Sequence, residues 1–591
     1  MWGLIRAEWL RFHRWALVLG LAHLGWLLFA DRVADPLRQQ AIAYKVYLGI
    51  LVLLGMAFGL YQVSAYARQA AWIDLLHRPV APHRIGAALL LTGLALACVA
   101  VALPVALLLP FHHVTAGQGV ESRHLLFPLA AWAVGATGYL LGVHLRLGPP
   151  RLSFTATILL VWLYQAQASG PAAAGLQVLA AGIAFLLALG DFRPDRTAPD
   201  RLPRRMATSF VAALAIGVVG TFALRFALQI GLMFVGNHPL NGVPPTGGLV
   251  EAMRADGAAL MASGLASQPS ERNRFWSEQV GLSEVVTIVP ELRDATARFS
   301  LTSPGNSTIE DDVSRLVWSF SHDTMRYAAT SMVTRRPWKP ELSPPPLPVP
   351  PLVAGDGQTI IAGNRILHYD AQSSRFSDRI TLPVGERLIA PPQPAWDQLA
   401  ILSDRALRVY DGRVMRHGDG NLPPLATVDL AGAPGALVRI DMLELLDGYL
   451  VSFTFGQRSA EGRSQPEQQL WLVEGARVTP VLRRPLDPDY PAVMRHADLW
   501  FAPVLTSGAA ALRGAFGPPN AMAETGPRAA PSDILALALL LHILSALGAW
   551  WRGGNIPIDR RERLVWATAA LFLGPPMLIA FLLLHRRRTP C

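Results

Sequence analysis

Apolar runs dominate the first 236 residues and the last 60, while the stretch between them alternates short apolar and polar segments. Crossing a hydrocarbon layer takes about 17 to 25 mostly apolar residues in a helix. Nine runs reach that length or come close to it: 15–30, 46–67, 85–110, 125–145, 152–168, 172–190, 209–236, 534–551 and 564–584. Ahead of the first, Trp2, Ile5, Trp9 and Phe12 recur at helical spacing, with Arg6, Glu8, Arg11 and Arg14 elsewhere on the wheel. That pattern predicts an interfacial amphipathic helix over residues 1–14, the alternative being the start of the first span itself. A cleaved leader fits less well, because no small-x-small site follows in "LLFADRVAD" and further spans come at once.

Between residues 237 and about 300 the segment "GGLVEAMRADGAALMASGLA" keeps a helical period, which then disappears. Four alternating runs replace it: "LVWSFSHDTMRYAAT", "TIIAGNRILHYD", "LAILSDRALRVYD" and "LWLVEGARVTPVL". Two of them close on an aromatic residue followed by aspartate, at Asp370 and Asp411, 41 residues apart. That separation fits the period of propeller blades, and a two-sheet β-domain fits as well. The proline-rich "PWKPELSPPPLPVPPL", residues 337–352, reads as an extended connector. The expected fold is thus an α-helical polytopic membrane protein of about nine spans with a large inserted β-rich domain, propeller-like in its repeat. Its divisions are an amphipathic helix (1–14), a six-span core (15–191), a loop and seventh span (192–236), an extracytoplasmic domain (237–532, β-rich from about 300 to 515), and two C-terminal spans with a basic tail (533–591).

With 52% apolar and 16% charged residues, the chain is too greasy for one soluble domain. Its net charge of +10 is carried by arginine, since only Lys45 and Lys339 are lysines. The arginines flank apolar runs instead of alternating with aromatics, which points to membrane topology and away from nucleic acid. With the N-terminus inside, the cytoplasmic segments up to the seventh span hold thirteen arginines, against Arg32, Arg38, Lys45 and Arg123 outside. The rule that basic loops stay inside then places residues 237–532 on the outer face of a bacterial inner membrane. The C-terminus resists the same count. With nine spans, Arg560, Arg561 and Arg563 fall inside and Arg586, Arg587 and Arg588 outside, unless Pro575 and Pro576 fold the last run into a re-entrant hairpin.

Catalytic signatures are missing. Tyr44 precedes Lys45 and Trp338 precedes Lys339, so neither lysine belongs to a nucleotide-binding Gly-Lys-Ser/Thr loop. No His-Glu-x-x-His, Gly-x-Ser-x-Gly or Cys-x-x-Cys occurs, and Cys98 and Cys591 are too far apart in context to suggest a framework. Glu310, Asp311 and Asp312, and the pair Asp487 and Asp489, lack calcium-loop spacing and read as solvated turns. His112, His113 and His124 flank one loop, but no pattern of supporting groups in the sequence makes a metal or haem site of it. No catalytic, cofactor-binding or metal-binding residue is therefore expected, and no cofactor. Arg225 stands out inside the seventh run, where a buried cation needs a partner or a wet cavity unless the helix is long enough to let it reach the surface.

Between the second and third runs lies "LLHRPVAPHRIGAALLL", residues 75–91, a basic segment split by Pro79 and Pro82. An amphipathic start, six spans and a loop of the form Leu-Leu-x-Arg-Pro-Val-x-Pro-x-Arg resemble the permease subunits of type 2 ABC exporters over about the first 191 residues. The resemblance implies that Leu75, Leu76, His77, Arg78, Pro79, Val80, Pro82 and Arg84 form a coupling helix docking on a separate cytoplasmic ABC ATPase. It also implies a homo- or heterodimer of permeases in the lipid bilayer. Two departures stand against the pattern: Gly86, Ala87 and Ala88 occupy a stretch where such permeases often carry a lysine, and the outer domain and three further spans are extra. The rival expectation is a non-transporting anchor, sensor or scaffold whose outer domain binds a partner.

Overall fold

The computed structural model describes residues 2–33, 35–38, 40–66, 72, 80–115, 119–193, 201–240, 242–292, 296–303, 307–334, 336–338, 344–417, 422–456, 465–517 and 531–585. Among these, seven helices are long and apolar enough to cross a membrane. They are α1 (Trp2–Val33), α2 (Ala41–Ser64), α3 (Pro82–Thr115), α4 (Ser122–Leu147), α5 (Gly170–Gly190), α6 (Leu202–Phe234) and, after a shorter helix α7 (Pro503–Phe516), α8 (Ser532–Gly554). By length and composition this is a membrane protein carrying a separate sheet-rich region.

Three expectations change. The first concerns residues 1–14, which are not a separate interfacial helix: α1 runs unbroken from Trp2, because no proline interrupts it, and Glu8 and Phe12 are buried. The second concerns the run at 152–168, which forms a 3₁₀ helix, Ser153–Gln167. Thr155 and Thr157 donate to the carbonyls three residues back, at 2.5 and 2.7 Å, as this tighter winding allows. It is not among the seven helices long and apolar enough to cross, although at about 2.0 Å rise per residue its 15 residues extend about 30 Å.

The third change is at the last run, which is not a span. Gly574, at φ +68°, breaks it into α9 (Arg560–Leu573) and α10 (Pro575–Leu584). Pro575 and Pro576 lack the N–H groups needed to continue α9, and His542 Nδ1 lies 2.7 Å from the Leu571 carbonyl freed near the break. The two helices fold back on one another, with the Trp566 ring 5.0 Å from Phe581 and 5.7 Å from His585. Arg552 reaches the His585 carbonyl at 3.4 Å, and Glu562 pairs with Arg205 at 2.6 Å. The basic α8–α9 loop and the residue leading into the basic tail therefore lie at one end of the bundle, which removes the conflict in the arginine count.

Contacts at the two ends set the order of crossings. At one end Gln40 bridges Ser303, Ser169 bridges Ser300, and Arg123 donates to the Ser300 carbonyl at 2.8 Å. At the other, Arg146 meets Ser64 at 3.3 Å and His144 meets Asp191 at 2.7 Å. Helix α2 lies closest to α4: a Cβ on Gly55, Gly59, Gly138 or Gly142 would stand 2.1 to 2.3 Å from a carbonyl oxygen of the facing helix. Only glycine permits that approach, the small-xxx-small packing of apolar helices. In α3, a π turn at Cys98–Ala102 precedes Pro104, whose missing N–H leaves the Ala100 carbonyl free. His23 Nδ1 of α1 lies 3.1 Å from that carbonyl, and its Nε2 is 3.0 Å from the Tyr47 hydroxyl.

The domain-side region begins with helices Leu249–Arg254, Gly257–Ala266 and Glu271–Val280. Among the described residues sixteen strands, β1 to β16 in chain order from Val285–Ile288 to Arg477–Pro485, follow in four antiparallel sheets: β2-β3-β4, β5-β6-β7-β8, β9-β10-β11-β12 and β1-β13-β14-β15-β16. Each of the four alternating runs supplies one hairpin, and each hairpin lies in a different sheet. The aromatic–aspartate endings have a structural cause. Tyr369 and Tyr410 are buried, while the carboxylates of Asp370 and Asp411 accept the backbone N–H two residues on, at 3.0 and 2.8 Å, and so shape the turn. The propeller expectation is not met, since no closed barrel or propeller forms among the described residues.

Candidate functional site

The loop between α2 and α3 was the strongest candidate from sequence. Leu75, Leu76, His77, Arg78 and Pro79 lie outside the described residues, and what the structure places is the loop's two roots. Val80 is half-buried against the bundle core, Pro82 is the first residue of α3, and Arg84 is exposed on its first turn. Proline suits that position because the first helical N–H has no partner within the helix.

On the α2 side, Tyr66 donates to the Glu8 carboxylate of α1. Gln62 donates to the same carboxylate at 3.0 Å, and its own carbonyl accepts the Tyr139 hydroxyl of α4 at 2.7 Å. The Glu8, Gln62 and Tyr139 side chains are buried. The Glu8 carboxylate accepts from two donors, and the chain Tyr139 to Gln62 to Glu8 joins α4, α2 and α1 through polar groups that cannot reach water. Burial and the Glu8 carboxylate push the Tyr66 hydroxyl up to about 12.

A second anchor holds the loop from the other side. The Trp72 indole donates to the Arg193 carbonyl at 3.2 Å, and its ring stacks on Phe192 at 5.9 Å. Phe192 also lies against Gly86 on α3, where a Cβ would fall 2.6 Å from the phenyl ring. That contact accounts for the glycine: the space a side chain at position 86 would need is filled by Phe192. Beside it, Asp191 is buried between His144 Nδ1 at 2.7 Å and the Arg204 guanidinium. This carboxylate ties α4, the end of α5 and the start of α6 together, and a buried carboxylate needs such partners.

Arg225 has a partner. Its guanidinium pairs with Asp498 at 3.2 Å, on the short helix Ala497–Phe501 that returns from the sheets. Counted along α6, Arg225 lies about 30 Å beyond Arg205 at 1.5 Å per residue. The pair thus forms far along α6 from its basic start, where the chain returns from the sheets.

Sequence reading missed Glu8, which it placed on a polar helix face, and also Gln62, Tyr139, His144 and Asp191. The usable signal was a polar side chain interrupting an apolar run, as Gln62 and Tyr139 do. The other polar clusters are structural. Asp311 accepts Tyr369 Oη at 2.6 Å, Asp489 accepts the Val250 N–H at 2.7 Å, and His112 pairs with Asp31 at 2.6 Å. Among the described residues no group of three or more His, Cys, Asp or Glu could hold a metal ion. Compared with known proteins, the chain matches no protein-family model, no curated protein and no solved structure.

Proposed function

We propose that this chain is the membrane-spanning permease subunit of an ATP-driven exporter, set in a bacterial inner membrane with its N-terminus cytoplasmic. Its partner is a separate ATPase docked on the loop between α2 and α3, and two permease subunits form the working unit. The observation that carries this reading is the anchoring of both loop roots. Tyr66 leads through Glu8 and Gln62 to α1 and α4, while Trp72 leads through Phe192 and Arg193 to α5 and α3. A force applied to such a loop reaches five helices, whereas a passive connector needs no buried polar roots. The arginine-rich bundle end, which holds this loop, supports the cytoplasmic assignment. The sheet-rich region is then outside, where it receives cargo or meets an envelope partner.

The rival is a signalling or scaffolding anchor. It draws on the rigid seat of the first sheet, where the buried Glu121 carboxylate accepts the His322 N–H at 2.9 Å and pairs with Arg123 at 2.5 Å. One experiment separates the two. Purification of the tagged chain in mild detergent should bring down an ATPase, and Arg78→Glu should release it without unfolding the chain. No ATPase, or one indifferent to Arg78→Glu, refutes the permease reading.

A further inference from the structure

A cavity of about 1130 Å³ lies between the 3₁₀ helix, α5, α6 and α7. It exceeds the roughly 300–1,000 Å³ of ordinary small-molecule pockets. Apart from the Trp162 indole, its polar lining side chains among the described residues are Gln165, Arg204 and Arg513. It follows α5 from Leu176 to Gly190, about 21 Å at 1.5 Å per residue, and so is long as well as greasy.

Its polarity is graded. Gly217 faces Leu505 and Gly220 faces Phe501, so α7 runs antiparallel to α6 and carries Arg513 toward the basic end, where Arg204 begins the wall. Arg204 is satisfied by Asp191, whereas among the described residues no ion pair joins the exposed Arg513 to a carboxylate. Leu186 and Phe210 on the wall are 68% and 48% exposed. An open apolar cleft of this length, on helices suited to a hydrocarbon layer, calls for an apolar occupant to cover it. An uncompensated guanidinium at the interface end gives that occupant a negative head.

We infer that this cleft is a binding site for one anionic phospholipid, its acyl chains along the apolar length and its phosphate on Arg513. The inference does not rest on the transport reading and needs no ATPase to test. Trp162 lines the cleft, so bromine-labelled acyl chains bound there quench its fluorescence, isolated as the difference between wild type and Trp162→Phe. In detergent, brominated phosphatidylglycerol should quench that signal at a concentration roughly tenfold below brominated phosphatidylcholine, the gain of about one charge-assisted contact. Arg513→Gln should remove the difference and Arg513→Lys should keep most of it. Gly508→Leu, at a position where a Cβ meets nothing within 4 Å, should weaken quenching by both lipids. Equal potency of the two lipids, indifference to Arg513→Gln, or no quenching of Trp162 by either overturns the proposal. The last outcome would mean that protein fills the cleft, from this chain or a second copy.

Discussion

Removing the Glu8 carboxylate tests whether the buried chain at the loop root holds the bundle together. In Glu8→Leu the Gln62 amide loses its acceptor while 1% exposed, and a buried donor stranded in this way costs about 1–3 kcal/mol. Tyr66 is only half-buried and can turn its hydroxyl to water, which adds about 0.5–1 kcal/mol. The expected loss is about 1.5–4 kcal/mol. Glu8→Gln keeps an acceptor and should lose about half as much. Tyr139→Phe acts on the other face of the same Gln62, so the two changes cannot be independent, and a coupling of about 0.5–3 kcal/mol is expected between them. The assay is chemical unfolding in detergent, followed by tryptophan fluorescence, for both single variants and the double. A loss under about 0.5 kcal/mol for Glu8→Leu, or strict additivity with Tyr139→Phe, would refute the reasoning.

Two further outcomes follow from the fold. His322 accepts the Phe299 N–H on Nδ1 at 3.1 Å, and burial, then Arg123, Arg38 and Arg298, lower it from 6.5 to about 3. A group lowered on folding stabilises fully above its unfolded value and loses that contribution as pH falls from 6.5 toward 3. Between pH 7 and 5 the unfolding free energy should drop by about 2 kcal/mol more in wild type than in His322→Asn, and equal slopes would contradict the assignment. The α9–α10 hairpin gives a topological test in a chain whose Cys98 and Cys591 are serine. Cysteines at Arg560 and His585 should label with an impermeant maleimide from one and the same side, opposite to one at the exposed Val384; labelling from opposite sides would restore a full last span.

Much of this architecture is a local property of the chain. Apolar length located all seven helices long and apolar enough to cross a membrane, because the cost of exposing backbone and charge to hydrocarbon acts on each run separately. Period-2 alternation located four hairpins, though not the one formed by β13 and β14, and the Tyr-Asp endings of two of them marked turns, because a buried ring followed by an aspartate-capped turn is a short-range device. What an apolar count cannot contain is winding and direction. Residues 153–167 read as an ordinary short span, and only the folded bundle shows that they wind as a 3₁₀ helix. The last run read as one helix, although Pro575 and Pro576 hinted otherwise, and the hairpin depends on His542 meeting Leu571 from another helix. The buried networks were hidden for the same reason. Glu8 and Tyr139 are 131 residues apart, and their linkage through Gln62 exists only once Gly59 and Gly142 let α2 and α4 close to backbone contact. Sequence alone thus determined which segments are apolar helix and which are sheet. The tertiary structure decided where the last run turns back and which polar groups share a buried site, since both rest on contacts between residues far apart in the chain.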